Sequence, residues 1–201
     1  MKTQFGNAYV LNVMADDHPG IVSAVSRTVT SLAGNIDTAS QTVVGGYFTL
    51  LMVVSLPEPM DAADLAARVA AGGPGTDHFQ VVARPCLPEC PKAPGRAVER
   101  FVITAFGQDK PGIIAHFSGY LAGQDINIID FYWDRAGDAF TMISQVEVPE
   151  RLDLAMLQAD LAELADAEGF TVKLQHENIF VATNQLRLAR PPNPPTRHAT
   201  N

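Results

Sequence analysis

The chain repeats one sequence pattern at a fixed spacing of 92 residues. The segment Asp17-His18-Pro19-Gly20-Ile21-Val22 returns as Asp109-Lys110-Pro111-Gly112-Ile113-Ile114. The same spacing relates, without gaps, the pairs Ser26/Ser118, Asn35/Asn127, Ile36/Ile128, Gly45/Gly137, Phe48/Phe140, Pro57/Pro149 and Asp61/Asp153. A repeat of this length is too long for a solenoid unit and suits a small domain. The pattern therefore predicts two copies of one module.

Charge and apolar content limit the classes of protein to which this chain can belong. Apolar residues make up 47% of the 201 residues, which is enough for two ordinary globular cores. The net charge of −8 divides into −3 over 1–92 and −5 over 93–201. Neither half has the basic surface that a phosphate backbone requires, so we expect no direct nucleic-acid binding. A protein partner that binds DNA stays open.

Targeting and metal signals are weak. No basic region followed by an apolar run opens the chain, and the apolar stretch 47–56 is too short to span a bilayer. We therefore expect a soluble, cytoplasmic protein with no membrane partner. Cys86 and Cys90 cannot form a disulfide framework, and with only His78 nearby they lack the four ligands of a zinc site. We expect plain linker cysteines, no metal and no cofactor.

The element order within each copy predicts the fold. In copy one, the pattern predicts a strand over 8–16, a helix with Pro19 in its first turn, and strands over 36–44 and 47–56 joined at a glycine turn. A second helix over 61–71 and a strand over 78–83 complete it. The corresponding elements of copy two are strands 101–107, 126–134, 139–148 and 170–176 and helices 111–122 and 153–167.

This order is the βαββαβ pattern of a ferredoxin-like module, so the predicted class is α+β, with two antiparallel sheets that each carry both helices on one face. We predict module 1 at 7–83 and module 2 at 100–178. A proline-rich, semi-rigid linker at 84–99 separates them. Residues 179–201 are predicted to hold an extra strand at 179–182 and a disordered, proline-rich tail.

The third strands of the two copies differ. In copy two, apolar residues alternate with Thr141, Gln145 and Glu147, which indicates one wet face. In copy one, the intervening positions include Tyr47 and Leu51, so both faces are apolar. We infer that the helix-free face of copy one is covered by the sibling module or by another chain, and a homodimer follows as a hypothesis.

The Asp-X-Pro-Gly segments lie where a strand ends and a helix begins. Unpaired backbone N–H groups and the positive end of the helix dipole converge there, which favours a carboxylate ligand. Gly20 and Gly112 lack a Cβ, so a ligand can approach the main chain closely. The alternative for Asp17 and Asp109 is a helix-capping role.

Asn35 and Asn127 open the second strand of each copy. A carboxamide has a donor and an acceptor, so it can bind both the ammonium and the carboxylate of a free amino acid. The alternative is a turn asparagine with a left-handed backbone. Two such elements that recur together in both copies favour a site.

Taken together, the strand, the Asp-X-Pro-Gly segment, the amphipathic helix and the Asn-Ile entry to the hairpin resemble the ACT domain, a regulatory module that senses amino acids. The resemblance covers about 7–83 and 100–176. A chain of two such modules resembles the glycine cleavage system transcriptional repressor family, whose members lack a catalytic domain. In ACT domains the ligand usually lies where the loop after the first strand of one module faces the second-strand entry of another. The resemblance thereby implicates Asp17, His18, Pro19, Gly20 and Asn35, and Asp109, Lys110, Pro111, Gly112 and Asn127.

The resemblance implies a non-enzymatic sensor that binds a small amino acid such as glycine between modules and acts in transcriptional control through a protein partner. The alternatives are a regulatory subunit of an amino-acid or one-carbon metabolic enzyme, a small enzyme, or a dimerisation platform. No nucleophile elbow, phosphate loop or zinc-protease motif is present in the sequence. Copy two has Trp133 and Asp134 where copy one has Gln41 and Thr42, so the two sites are not equivalent.

Overall fold

The computed structural model describes residues 2–73, 79–86 and 97–188. The chain divides into two units, Met1–Lys92 and Ala93–Asn201. Each unit contains a four-stranded antiparallel sheet and two helices in βαββαβ order. The predicted α+β class with two ferredoxin-like modules is therefore confirmed.

Module 1 has its strands in the spatial order β2-β3-β1-β4. All of its strand pairs are antiparallel. Its elements are β1 (Asn7–Asp16), α1 (Ile21–Ser31), β2 (Asn35–Val44), β3 (Tyr47–Leu56), α2 (Ala62–Ala71) and β4 (Gln80–Pro85).

Module 2 repeats this arrangement in the order β6-β7-β5-β8. Its elements are β5 (Val98–Gln108), α3 (Ile113–Gly123), β6 (Asn127–Ala136), β7 (Ala139–Pro149), α4 (Leu154–Glu168) and β8 (Phe170–His176). A further helix, α5 (Glu177–Leu188), follows β8 and packs against β5 and β8.

Alternating burial along the central strands builds each core. In module 1, every second residue of β1 from Tyr9 to Ala15 is buried, and β3 alternates in the same way from Phe48 to Val54. The amphipathic helices add Ile21, Val25 and Val29 from α1 to this core. Alternation with a period of two places one strand face against the helices, so α1 and α2 share one side of the sheet.

The first helix of each module begins later than the sequence predicts. α1 and α3 start at Ile21 and Ile113, and the prolines precede the helix rather than occupying its first turn. The residue between proline and helix is Gly20 with φ 105° in one copy and Gly112 with φ 101° in the other. Only glycine adopts such angles without strain, so the glycine turns the chain before the helix can begin.

A β-bulge in β2 gives Asp37 a structural role. The register of β2 shifts between Ile36 and Thr38, and the Asp37 carboxylate accepts hydrogen bonds from the Gln4 N–H at 2.8 Å and from Asn35 Nδ2 at 2.9 Å. Burial raises the pKa of Asp37, but hydrogen bonds from Gln4, Ser55 and Asn35 outweigh burial and hold this pKa below its usual value. The bulge therefore ties the N-terminal segment to the start of β2.

The extra strand predicted at 179–182 is wrong, because these residues belong to α5. The apolar run is short, and Glu177 lies in the first turn, where a negative charge favours the helix dipole. His176 Nδ1 accepts a hydrogen bond from the Asn178 N–H at 3.3 Å, which caps the helix start. None of the helices in the described part of the chain is long and apolar enough to cross a membrane.

The linker predicted at 84–99 is partly strand. Arg84 and Pro85 pair with β1, and the Cys86 N–H donates to the Ala8 carbonyl at 2.7 Å, while β5 already begins at Val98. Residues 74–78 and 87–96, with His78 and Cys90, lie outside the described residues, as does the predicted tail beyond 188.

The module 1 sheet face that points away from α1 and α2 carries large apolar side chains, as the pattern of β3 predicts, beside polar ones such as Asn12, Thr49 and Gln80. By strand register this face holds Met14, Tyr47, Leu51 and Val82. These side chains are exposed to 46%, 65%, 49% and 66% respectively. That another module or chain covers this face stays a prediction.

Two glycines of module 2 provide a matched test of its packing. A Cβ at Gly107 would lie 2.5 Å from Phe170 Cβ and 2.8 Å from Phe170 Cα, whereas a Cβ at Gly119 in α3 would meet nothing within 4 Å. We expect Gly107→Ala to lower the free energy of unfolding by about 1–3 kcal/mol through overpacking. Gly119→Ala raises it by up to about 1 kcal/mol through helix propensity. Urea unfolding of both variants measures the difference, and equal effects would contradict this packing.

The low pKa of Asp37 predicts a pH-dependent contribution to stability. A carboxyl whose pKa is lower in the folded state stabilises the protein above its unfolded pKa of about 3.9, and this stabilisation is lost as pH falls through the folded pKa. We expect Asp37→Asn to lower the free energy of unfolding by about 1 kcal/mol at pH 7. The gap to the parent protein narrows as pH falls through the folded pKa of Asp37. Denaturant unfolding from pH 7 to pH 2.5 tests this, and a gap independent of pH would contradict it.

Candidate functional site

The Asp-X-Pro-Gly loop of each module is attached to the hairpin of the same module. The Asp17 N–H donates to the Gly46 carbonyl at 2.9 Å, and the Asp109 N–H donates to the Asp138 carbonyl at 2.7 Å. Both contacts follow from the pairing of the first and third strands, which brings the end of one to the start of the other. The loop, the hairpin and the start of the helix therefore form one end of each module.

The helix N-termini at these loops have no side-chain caps. Gly20 and Gly112 occupy the N-cap positions, and no side chain accepts a hydrogen bond from the first turn of α1 or α3. The capping role considered for Asp17 and Asp109 is therefore wrong. The first N–H groups of an α-helix have no carbonyl partner within the helix, so they stay available to an anionic group at the positive end of the dipole.

Asn35 lies at the opposite end of its module from the loop. It pairs with Ser55, which in turn pairs with Ala8 near the start of β1, whereas the loop follows Asp16 at the end of β1. Eight residues of β1 separate the position level with Asn35 from the end of β1 at the loop, which corresponds to about 26 Å. One module therefore does not bring Asn35 and its loop together, and the Asn35 amide instead donates to Asp37.

Asn127 has the same position in module 2. It pairs with Glu147, which pairs with Arg100 near the start of β5, far along the strand from the loop after Gln108. Arg100 and Glu147 form an ion pair of 3.8 Å at this end. A site that combines a loop with either asparagine would require two modules.

Module 1 forms a cleft of about 450 Å³ at its own loop. The loop from Asp17 to Gly20 and the first turn of α1 line one side, and Gln41 of β2 and Phe48 of β3 line the other. His18 Nδ1 lies 3.0 Å from the Pro19 carbonyl oxygen and therefore carries the proton in this contact. His18 Nε2 is buried and has no hydrogen-bond partner among the described residues.

The corresponding loop of module 2 is held by charged contacts. Arg135 Nε lies 3.1 Å from Asp109 Oδ2, and Lys110 Nζ donates to the Glu168 carbonyl at 2.8 Å. His116 Nδ1 lies 2.5 Å from Glu168 Oε1. The loop and α3 are thus attached to β6 and to the end of α4. The His116 side chain is exposed and forms this contact at the surface.

In module 2, an aromatic pair occupies the positions that correspond to Gln41 and Phe48 of the module 1 cleft. Trp133 stacks on Phe140 with ring centroids 4.3 Å apart and planes 6° apart. Trp133 occupies the repeat position of Gln41, and Phe140 that of Phe48. The two modules therefore share a backbone arrangement at the loop and differ in what covers it.

Sequence reasoning noted that Gln41 is replaced by Trp133 and that Phe48 repeats as Phe140, but it did not place Gln41, Phe48, Arg135 or Glu168 beside the loop. No motif marks them, because they come from the hairpin and the second helix rather than from the repeated segment. The spacing of 92 residues that relates Gln41 to Trp133 also relates Val43 to Arg135, so the same comparison of the copies could have found Arg135.

A second small cavity of about 120 Å³ lies between α3 and α4. Here Tyr120 donates its hydroxyl to Asp160 Oδ2 at 2.9 Å. Burial and the neighbouring Asp160 carboxylate raise the pKa of Tyr120 to about 12, so the phenol stays a neutral donor. Within 2–73, 79–86 and 97–188, no group of three or more His, Cys, Asp or Glu residues could hold a metal ion.

Comparison with known proteins identifies the modules. The family model of the ACT domain matches residues 8–70 and 99–175. A UPF0237 protein of Methanosarcina acetivorans is 38% identical over 82 residues, which is 40% of this chain and 89% of that protein. A UPF0237 protein of Methanococcus maripaludis is 39% identical over 84 residues, with 41% and 93% covered.

Two solved structures share the fold over most of the chain. A protein of unknown function from Galdieria sulphuraria has a TM-score of 0.69 at 22% identity, with 85% of this chain and 98% of that chain covered. A protein assigned provisionally as a glycine cleavage system transcriptional repressor has a TM-score of 0.61 at 20% identity, with the same coverage. With family models matched in both halves and this tandem fold, the chain belongs to the ACT domain family, whose members are regulatory.

Proposed function

We propose that the protein is a non-enzymatic sensor that binds a small amino acid and acts in transcriptional control through a protein partner. The observation that carries this proposal is the uncapped N-terminus of α1 beside the Asp17 carboxylate. Together they offer a site for the carboxylate and the ammonium of one α-amino acid. Membership of the ACT domain family supports a regulatory role.

The N-terminus of α1 favours the ligand carboxylate. Its first N–H groups lack partners within the helix, and Gly20 leaves the main chain open, since a Cβ there would meet nothing within 4 Å. A carboxylate at this end also gains from the helix dipole, typically 0.3–1 kcal/mol.

Asp17 favours the ligand ammonium. The residue is exposed, and among the described residues its carboxylate makes no ion pair. A charge-assisted hydrogen bond from an ammonium to this carboxylate would be stronger than a neutral one. Glycine is the first ligand to test, because one of the proteins with the same fold is assigned to glycine cleavage control.

Binding would act through a population shift. A ligand changes the arrangement of modules only if it binds two arrangements with different affinity. We propose that this change is recognised by a protein partner, such as a transcription factor or an enzyme. Asp17, His18 and Ser23 line this cleft, but among the described residues His18 contacts the Pro19 carbonyl and Ser23 accepts from Arg27 rather than bonding to one another.

We also propose that the protein is a homodimer that uses the apolar face of module 1. Leu51 and Val82 flank Asn12 across the sheet, and both are exposed. Module 2 has Lys173 at the register position of Val82. An exposed apolar patch on a sheet face is typical of a protein interface.

Thermal unfolding in the presence of single amino acids tests the sensor proposal. We expect glycine, or another small amino acid, to raise the unfolding midpoint selectively. A ligand at 100 times its dissociation constant stabilises a folded domain by about 2.7 kcal/mol, which is a measurable shift for domains of this size. A panel of twenty amino acids without any selective shift would contradict amino-acid sensing.

Two adjacent carboxylates provide a matched test of the ammonium contact. Asp17 lines the cleft, whereas Asp16 lies on the opposite sheet face in register with Tyr47. We expect Asp17→Asn to weaken binding of the responding amino acid about tenfold, which corresponds to 1.4 kcal/mol. Asp16→Asn leaves the affinity unchanged. Isothermal titration calorimetry measures both, and equal affinities of the two variants would argue against the Asp17 contact.

The dimer proposal is tested at Leu51. We expect Leu51→Lys to convert the dimer into a monomer in sedimentation velocity, because a charge buried in an apolar interface is costly. Met156→Lys on α4 is the control, since Met156 is exposed to 66% outside this face. A monomeric parent protein, or a dimer unaffected by Leu51→Lys, would exclude this interface.

A further inference from the structure

We infer that only module 1 binds the ligand, that Gln41 is a specificity-determining contact there, and that Trp133 and its neighbours close the equivalent place in module 2. This inference rests on the proposed amino-acid sensing and assigns it to one module. It predicts one ligand per chain, although the Asp-X-Pro-Gly segment occurs twice.

Gln41 is the carboxamide that one module brings to its own loop. It pairs with Leu50 on β3, and Leu50 lies on the sheet face that carries α1. Its side chain lines the same cleft as Asp17 and the first turn of α1, and among the described residues it makes no hydrogen bond. A carboxamide has two donor hydrogens and an acceptor oxygen, so it can bind either charged group of an α-amino acid. Asn35 cannot do this within the module, because it lies at the other end of β2.

Trp133 takes the place of Gln41 in module 2. It pairs with Met142 as Gln41 pairs with Leu50, so the two side chains leave equivalent backbone positions. The Trp133 ring lies flat on Phe140 at 4.3 Å. A parallel stack at this distance leaves no room for a ligand between the rings. Entry of an amino acid between these residues would require loss of the stack.

The charged groups of the module 2 loop are already paired. Arg135 contacts the Asp109 carboxylate, so this carboxylate is not free to receive an ammonium. Lys110 and His116 both contact Glu168, one through its carbonyl and the other through its carboxylate. These contacts attach the loop and α3 to the end of α4. Opening of the loop would therefore break contacts in addition to the aromatic stack.

Module 1 has other residues at the matching positions. The repeat places Val43 where Arg135 stands and Ala24 where His116 stands. Neither side chain can form the corresponding ion pair. Asp17 and the cleft beside it therefore stay accessible, so the same repeated segment has two different roles in one chain.

Calorimetric titration of the full-length chain with glycine, followed by the other small amino acids, tests the inference. We expect a stoichiometry of one ligand per chain. Gln41→Met keeps the side-chain length and removes the amide, so it should weaken binding at least tenfold. Gln41→Trp copies module 2 and should abolish binding. Thermal unfolding without ligand checks that both variants fold.

Trp133→Gln is the matched variant in module 2, and Tyr120→Phe in the same module is a control for general loosening. We expect both to keep the module 1 site with the affinity of the parent protein. Two sites per chain in the parent would overturn the inference and leave amino-acid sensing intact. Loss of binding in Trp133→Gln with none in Gln41→Met would place the ligand in module 2 and overturn it as well. Absence of binding to every amino acid would contradict the proposed function itself, and the inference with it.

Discussion

The antiparallel pairing of the first and third strands is the constraint on which each module depends. In module 1 the register runs from Asn7 opposite Leu56 to Asp16 opposite Tyr47. This pairing brings the hairpin beside the loop that follows β1, and the Asp17 N–H then donates to Gly46. The antiparallel pairing of β2 with β3 sends the start of β2 to the far end of the sheet. The position of the cleft and the separation of Asn35 from it thus both follow from antiparallel pairing to β3.

Duplication preserved this backbone and changed the side chains around it. Both modules have a left-handed glycine before the first helix, a bulge at the start of the second strand and an uncapped helix N-terminus. What differs is the hairpin strand, where Gln41 and Val43 of one copy correspond to Trp133 and Arg135 of the other. A shared fold therefore does not imply a shared site, because a site depends on the side chains that the fold places together.

Much of the fold was predictable because local signals agree with one another. The repeat sets the size of each module, and glycines at Gly45 and Gly46 locate the hairpin. The start of α1 was harder, because Pro19 suits a first helical turn and only the backbone angle of Gly20 shows that the helix begins later. The helical state of 179–182 was missed, because a short apolar run has no period and its state depends on packing against β5 and β8.

The candidate site was predictable only in part, for a physical reason. Sequence marks the loop residues by their repeated motif, but it does not show which end of the sheet a residue occupies. Asn35 carries the same motif signal as Asp17 and yet lies about 26 Å away along the strands. Gln41 is marked only by its replacement with Trp133 in the second copy, and it lies in the cleft. Spatial proximity here arises from strand register, which pairs residues far apart in sequence.

The attachment of the loop to the hairpin also indicates how occupancy of the cleft would reach a partner. A ligand between α1 and Gln41 would contact the loop and β2 together, and the loop is bound to the hairpin through Gly46. β2 is an edge strand of its sheet, and its residues from Thr38 to Val44 are exposed. Edge strands present unpaired backbone groups to other chains. A change in β2 would therefore occur at a surface that a protein partner can bind, without any rearrangement of the core formed by β1 and β3.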